Sequence, residues 1–273
     1  MPDRIETFGD SLIQHGPENN RVYLMKLAPG DLPLILVYLD DLARRHGYGK
    51  LFAKVPAAAG PLFTEAGYVV EACVPDFFRG EEDAVFFGKY LEQERAVEER
   101  QELVDEVLLT AAAADPVLLA PSSACERLQP EDAGAMAELY REVFASYPFP
   151  IYDPDYLEET MRENVAYFGI RGPDGLLAAA SAEVDPAGQN AEMTDFATHP
   201  EARGAGLATS LLAAMETCMR SEEVRTAYTI ARAYSFGMNI TFARCNYVYS
   251  GTLTNNTQIA GTIESMNVWH KSL

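Results

Sequence analysis

The chain has 273 residues, and its 41 Asp and Glu against 21 Lys and Arg give a formal net charge of −20. That excess excludes nucleic-acid binding and anionic-membrane binding as classes, because too few cations are present to replace phosphate counterions. A hydrophobic fraction of 48% supplies an ordinary core and excludes intrinsic disorder. Cys73, Cys125, Cys218 and Cys245 form no CxxC pair, and His15, His46, His199 and His270 are scattered, so no metal site or disulfide framework is expected. The N-terminal run lacks the apolar segment of a signal peptide. The longest apolar stretch, 32–39, is eight residues and contains Pro33. A cytoplasmic protein in a reducing compartment is expected.

The predicted elements begin at Arg21 with a strand (21–27). A helix follows over 32–45, with Leu32, Leu36, Leu39 and Leu42 on one face and Gly47 past its end. A strand (51–55), a short helix (57–65) and two more strands (68–74 and 84–91) come next. The stretch 92–106 has seven acidic and two basic side chains and reads as a solvated helical connector closed by Pro116. A first domain is therefore expected over 1–91, a linker over 92–123 and a second domain over 124–273.

The second domain opens with a strand (125–128). A helix follows from Pro130 to about 146, with Glu131 and Asp132 near the positive end of its dipole. After the proline-broken loop YPFPIYD come a helix (155–163), strands over 165–171 and 176–184 around GPDG, and a strand over 192–198. HPEARGAGLA then leads into an amphipathic helix with Leu207, Leu211, Met215 and Met219 on its buried stripe. A strand (226–233), a short helix (238–245), a strand (247–253), a loop (254–261) and a last strand (266–271) complete the chain. LFTEAGYVVEA (62–72) aligns with TFARCNYVYSG (241–251), and the same order of elements recurs in both halves, so the two halves are read as related.

Arg203-Gly204-Ala205-Gly206-Leu207-Ala208 lies between a strand and a helix. Small residues there let backbone N–H groups approach an anion at the positive end of the helix. No GKS or GKT follows and the spacing is not GxGxxG, so neither a P-loop nor a dinucleotide turn fits. The pattern R-x-x-G-x-A, after a strand ending T-x-P, resembles the acetyl-CoA loop of the GNAT family of N-acetyltransferases, Q/R-x-x-G-x-G/A. Arg203, Gly206 and Ala208 carry the match.

The resemblance implies an α/β (α+β) fold with a central mixed, mostly antiparallel sheet flanked by helices, here preceded by a partial GNAT-like domain. It implies acetyl-CoA as acetyl donor and no metal. The pyrophosphate would lie on the loop formed by Arg203, Gly204, Ala205, Gly206, Leu207 and Ala208. The pantetheine arm would run along Phe196 and Thr198 of a splayed strand, and an amine would attack the thioester directly. An ammonium must first lose a proton to a base. Glu192 stands where family members carry a catalytic glutamate; the other reading is a solvated strand-end carboxylate. Asp195, by alternation, points to the opposite side, so one of the two is expected to face the amine. Phe242 occupies the position where the family often has an acidic tyrosine, counted back from Asn246-Tyr247, which leaves Tyr234 or solvent to protonate the thiolate. In the first half the corresponding junction, Leu27-Ala28-Pro29-Gly30-Asp31-Leu32-Pro33, has no arginine and puts a carboxylate where phosphate would sit. That half is expected to be non-catalytic and to serve packing or homodimer contacts.

Within the family, MTDFATHPEARGAGLA, YPFPIYD and SFGMNITFARCNY with GTLTNNTQIAGTIESMNVWHK resemble the beta-lysine N-acetyltransferases, and the likeness spans essentially the whole chain. This implies acetylation of the terminal (epsilon) amine of beta-lysine to give a zwitterionic compatible solute. A substrate with two amines and a carboxylate needs both donors and acceptors. Asn239, Asn255 and Asn256 supply either, or cap backbone in turns. Tyr147, Phe149 and Tyr152 line the aliphatic stem or pack the core. Arg232 pairs with the substrate carboxylate or with a nearby acid. Another small amine (lysine, a polyamine) as acceptor and an acyl-CoA-binding module without catalysis stay open as alternatives.

Overall fold

Arg4–Phe8 (β1) and Ser11–Gly16 (β2) pair as an antiparallel hairpin ahead of the first predicted element, in a computed structural model that describes residues 3–117, 124–147, 149–259 and 261–273. Their two-residue Gly9-Asp10 loop is a tight hairpin connection. Asp31 holds it, accepting from the Asp10 and Ser11 amides at 3.1 and 2.9 Å and from Ser11 Oγ at 2.6 Å. The Asp31 carboxylate of this half is thus taken up by the β1–β2 hairpin. The rest of the half is β3 (Arg21–Lys26), α1 (Leu34–His46), β4 (Lys50–Pro56), α2 (Gly60–Glu65), β5 (Val69–Phe78) and β6 (Glu82–Tyr90).

Among the described residues of the connector, the α-helix is α3 (Gln101–Ala112), preceded by a single 3-10 turn at Glu94–Ala96. The start of the connector departs from the solvated helix expected over 92–106, because Arg95 is buried and donates to the carbonyls of Asn19, Asn20 and Asn255. Residues 118–123 of the expected linker lie outside the described residues. The second half contains β7 (Cys125–Arg127), α4 (Ala133–Val143), α5 (Pro154–Glu163), β8 (Val165–Gly172), β9 (Gly175–Asp185), β10 (Asn190–Thr198), α6 (Leu207–Ser221), β11 (Thr226–Arg232), α7 (Phe236–Arg244), β12 (Val248–Ile259) and β13 (Thr262–Ser272). The stretch 254–261 was expected to be a loop. Instead β12 continues through it to Ile259, with a register shift between Leu253 and Thr257 where Asn255 takes a φ of 44°.

Both halves share one 13-stranded sheet in the order β1-β2-β3-β4-β6-β5-β12-β13-β11-β10-β9-β8-β7. β3–β4 and β10–β11 are its parallel pairs, one in each half. The β4-β6-β5 order of the first half mirrors β11-β13-β12 of the second, and the halves meet edge to edge at β5 and β12. The residues facing each other across that seam are Ala72 and Gly251, the last positions of the two similar segments. Equivalent residues pair in this way only across a local two-fold axis. Gly251 has φ 144°, and a Cβ on it would stand 2.1 Å from the Glu71 carbonyl oxygen. Gly251→Ala is therefore expected to destabilise the chain by about 2–4 kcal/mol through overpacking and strain. An unchanged denaturant midpoint would show that the seam is looser than this.

The chamber described below follows from which sheet faces the helices cover. Val22, Leu24, Leu51 and Ala53 pack under α1 and α2, and Ala227 and Trp269 pack under α6 and α7. The alternate residues Tyr23, Phe52, Phe86, Tyr228, Met266 and Val268 form one apolar cluster on the opposite face. On that face α4 and α5 cover β8, β9 and β10 through Tyr140, Leu157, Tyr167 and Ala179. The first half has no helix between β1 and β2 to match them. The centre of the sheet is left as the floor of a cavity. Among the described residues no helix is long and apolar enough to cross a membrane, and the four cysteines are free.

Candidate functional site

At the start of α6 the chain passes through Gly204 (φ 82°) and Gly206 (φ 75°), and Gly206 caps the helix without a side-chain hydrogen bond. No atom stands within 4 Å of the position of a Cβ at either glycine, and Arg203, Gly204, Ala205 and Gly206 are exposed. The first-turn N–H groups of a 15-residue helix therefore face open space, which suits a diphosphate. β10 and β11 pair only over Asn190–Glu192 and Thr226–Tyr228, although β10 runs on to Thr198 and β11 to Arg232. Beyond Glu192 the strands diverge and leave an edge of β10, including Phe196 and Thr198, without a neighbour on that side. An extended pantetheine arm fits such a free edge as an added strand does.

A cavity of about 1040 Å³ opens beside this splay. Thr194 and Asp195 on β10 and Tyr228 and Ile230 on β11 line it on the side of the splay. Tyr147, Phe149, Tyr23, Phe52 and Phe77 add aromatic walls, and Glu183, Glu192, Asp195 and Lys54 add charge. Lys54 Nζ donates to Tyr228 Oη at 2.7 Å, and Tyr228 and Glu192 act on each other electrostatically. Asp195 accepts from Ser181 Oγ at 2.5 Å and from the Tyr147 hydroxyl. Enclosure raises the pKa of all three acids. Repulsion from Glu192 and Asp195 adds to the rise at Glu183, and Lys54 opposes it at Glu183 and Glu192. Enclosure also lowers Lys54, against the pull of Glu192, Glu183 and Asp185. The arrangement can draw in a cationic amine, hold its carbon chain against aromatic rings and accept a proton from it.

Residues 134–247 match the model of the acetyltransferase (GNAT) family. The chain is 31% identical to N-acetyltransferase YodP of Bacillus subtilis over 96% of each chain. It is 37% identical to a beta-lysine N(6)-acetyltransferase of Methanococcus maripaludis over 98% of each. The chain belongs to the GNAT acetyltransferase family. A further relative, a beta-lysine N(6)-acetyltransferase of Methanosarcina mazei, is 39% identical over 142 residues, 52% of each chain.

For a GNAT chain, the structure gathers some predicted site residues and separates others. Glu192, Asp195, Tyr147, Phe149 and Asn256 line the cavity together. Asp195 does not point away from Glu192 as alternation implied. It takes a φ of 56° at a bulge between Thr194 and Ala197, which resets the phase and turns both acids into one space. Tyr152 lies among the partly buried side chains beside α4 and α5, with its hydroxyl on the Phe144 carbonyl at 3.0 Å. Arg232 is engaged by Glu264 at 2.7 and 2.8 Å, the ion-pair alternative. Asn239 is fully buried, donating to the Arg232 and Ser235 carbonyls and accepting from Asn267 and Trp269. Asn255 donates to the carbonyls of Arg95 and Val97. Tyr234 donates to Glu98 at 2.7 Å with the Arg100 guanidinium 3.7 Å over its ring, and burial and Glu98 raise its pKa. Phe242 is in the core against Phe196 and Tyr247.

Sequence reasoning missed Glu183, Lys54, Tyr228 and Arg21 of the cavity lining. A signal for two of them was present: Lys54 and Glu183 are the single charges within the runs LFAKV and LLAAASAEV.

Proposed function

We propose that this chain transfers acetyl from acetyl-CoA to the terminal (N6) amine of beta-lysine. The observation that carries the reading is the acid cluster lining the cavity beside the splay, where a thioester lying along β10 would meet an amine held in the cavity. The whole-chain likeness to beta-lysine N(6)-acetyltransferases supports the choice of acceptor. Glu183, Glu192 and Asp195 attract the ammonium, and Glu192 takes its proton, directly or through a water. The neutral amine then attacks the thioester carbonyl, an N–C bond forms, the C–S bond breaks with its electron pair on sulfur, and the nitrogen sheds its second proton to water. Solvent protonates the thiolate, because Phe242 has no proton to give and Tyr234 is committed to Glu98. Arg203 and the N–H groups of residues 204–208 hold the diphosphate. The product keeps one ammonium and one carboxylate, the zwitterionic character of a compatible solute.

Residues 124–273 form the catalytic unit in this reading and 92–123 the connector. Residues 1–91 are a non-catalytic relative of it whose task extends beyond packing, since it walls the acceptor cavity. NMR of the product tests the regiochemistry: the acetyl group is expected on N6, and acetylation of the beta-amine would contradict the reading. Because Glu183 and Glu192 have raised pKa values, their negative charge is lost at low pH and appears only as pH climbs past the ordinary carboxylate range. Between about pH 5 and 9, kcat/KM for the amine is therefore expected to rise with pH. A flat profile would remove the acids from amine capture.

A further inference from the structure

Arg21 opens β3 and lines the acceptor cavity from the first half of the chain. It is 5% exposed, and its guanidinium lies 5.2 and 5.6 Å from the ring centroids of Tyr23 and Phe52. Nη1 donates to the Asn256 carbonyl at 2.5 Å and to Thr257 Oγ1 at 3.0 Å. Nε is buried without a partner, and among the described residues Arg21 makes no ion pair. Other buried cations are provided for: Lys50 by Glu71, and Arg95 by three backbone carbonyls. Asp3 and Glu71 act on it only at a distance, Asp3 being bound to the Glu18 amide and to Asn19, and Glu71 to Lys50. A buried guanidinium without a direct ion pair is costly unless an anion completes it. Burial lowers its pKa only to about 10, so it is charged at neutral pH.

Two further cavity-lining groups are buried and unpartnered: Asn256 Oδ1, an acceptor on the residue that Arg21 binds, and Asn190 Nδ2, a donor. The Arg21 guanidinium and the free Asn256 Oδ1 lie together, since Arg21 binds the Asn256 carbonyl, and a cationic donor beside an acceptor matches a carboxylate with an ammonium close to it. The Tyr23 hydroxyl feels Glu192 and Glu183 as well as Arg21, so the cationic and acidic groups share one chamber.

We propose that Arg21 binds the carboxylate of the acceptor, with Asn256 Oδ1 receiving the neighbouring ammonium, so that the first half of the chain selects amino-acid acceptors over simple diamines. This rests on the acetyl-transfer reading above and gives it a specificity determinant.

The test compares beta-lysine with its carboxamide, which keeps both amines and loses the anion. Wild-type kcat/KM is expected to favour beta-lysine by about 10- to 100-fold, the worth of a charge-assisted contact. In Arg21→Gln that ratio falls to near unity, chiefly through a higher KM for beta-lysine, and Arg21→Lys restores part of it. Acetyl-CoA affinity reports whether each variant is folded. Equal use of acid and amide by the wild type would overturn the proposal without any variant being needed. So would a folded Arg21→Gln protein that keeps the full preference. Turnover of neither acceptor, with acetyl-CoA still bound, would instead refute acetyl transfer to this amine, and the role of Arg21 with it.

Discussion

Glu192→Gln is expected to lower kcat by about 100- to 1,000-fold, the range for removing a positioned general base. The amide has nearly the shape of the acid, so packing around the splay should persist. What disappears is the ability to take a proton from an ammonium beside the thioester. Acetyl-CoA affinity should stay close to wild type, because the loop proposed for the diphosphate is on another segment, at the start of α6. The pH profile carries a second sign. If Glu192 is the base, the variant loses the part of the rise in rate that tracks its ionisation. A kcat within about threefold of wild type would assign proton removal to Glu183, Asp195 or water instead.

Gly206→Val is expected to weaken acetyl-CoA binding by at least about tenfold. Two effects act together. The backbone at 206 sits at φ 75°, where a β-branched residue is strained. The Cβ branches would also project into open space at the helix N-terminus, where the phosphates must approach the N–H groups. Because the site is exposed and no atom stands within 4 Å of that Cβ, the core has no reason to collapse. Calorimetric titration with acetyl-CoA separates loss of binding from loss of fold, and an unchanged Kd would move the diphosphate elsewhere.

The loop proposed for the donor was legible in the sequence as a strand-to-helix turn because its signals are local. The signals of the loop from Arg203 to Ala208, a strand before it, a helix after it and small residues between, all fall within a few positions. The acceptor side is assembled from distant segments. Arg232 and Asn239 are plausible ligands by residue type, yet their partners, Glu264 and Trp269, lie 32 and 30 positions away and claim them. Asp195 shows the limit of alternation, since one residue at positive φ turns two opposed acids into neighbours. Arg21 and Lys54 enter the site only because β5 and β12 join two half-sheets, a contact of residues far apart in the chain. The Ala72–Gly251 pairing makes that seam intelligible afterwards, for the same residues end the two similar segments.

The most direct measurement is release of free CoA from acetyl-CoA by the purified chain with beta-lysine, alpha-lysine, spermidine and putrescine offered separately. The expected result is turnover with beta-lysine and at least about tenfold lower kcat/KM with each of the others, since none presents the same spacing of amine, ammonium and carboxylate. Preference for spermidine or putrescine would contradict an amino-acid acceptor. Binding of acetyl-CoA with no turnover of any amine would contradict acetyl transfer itself.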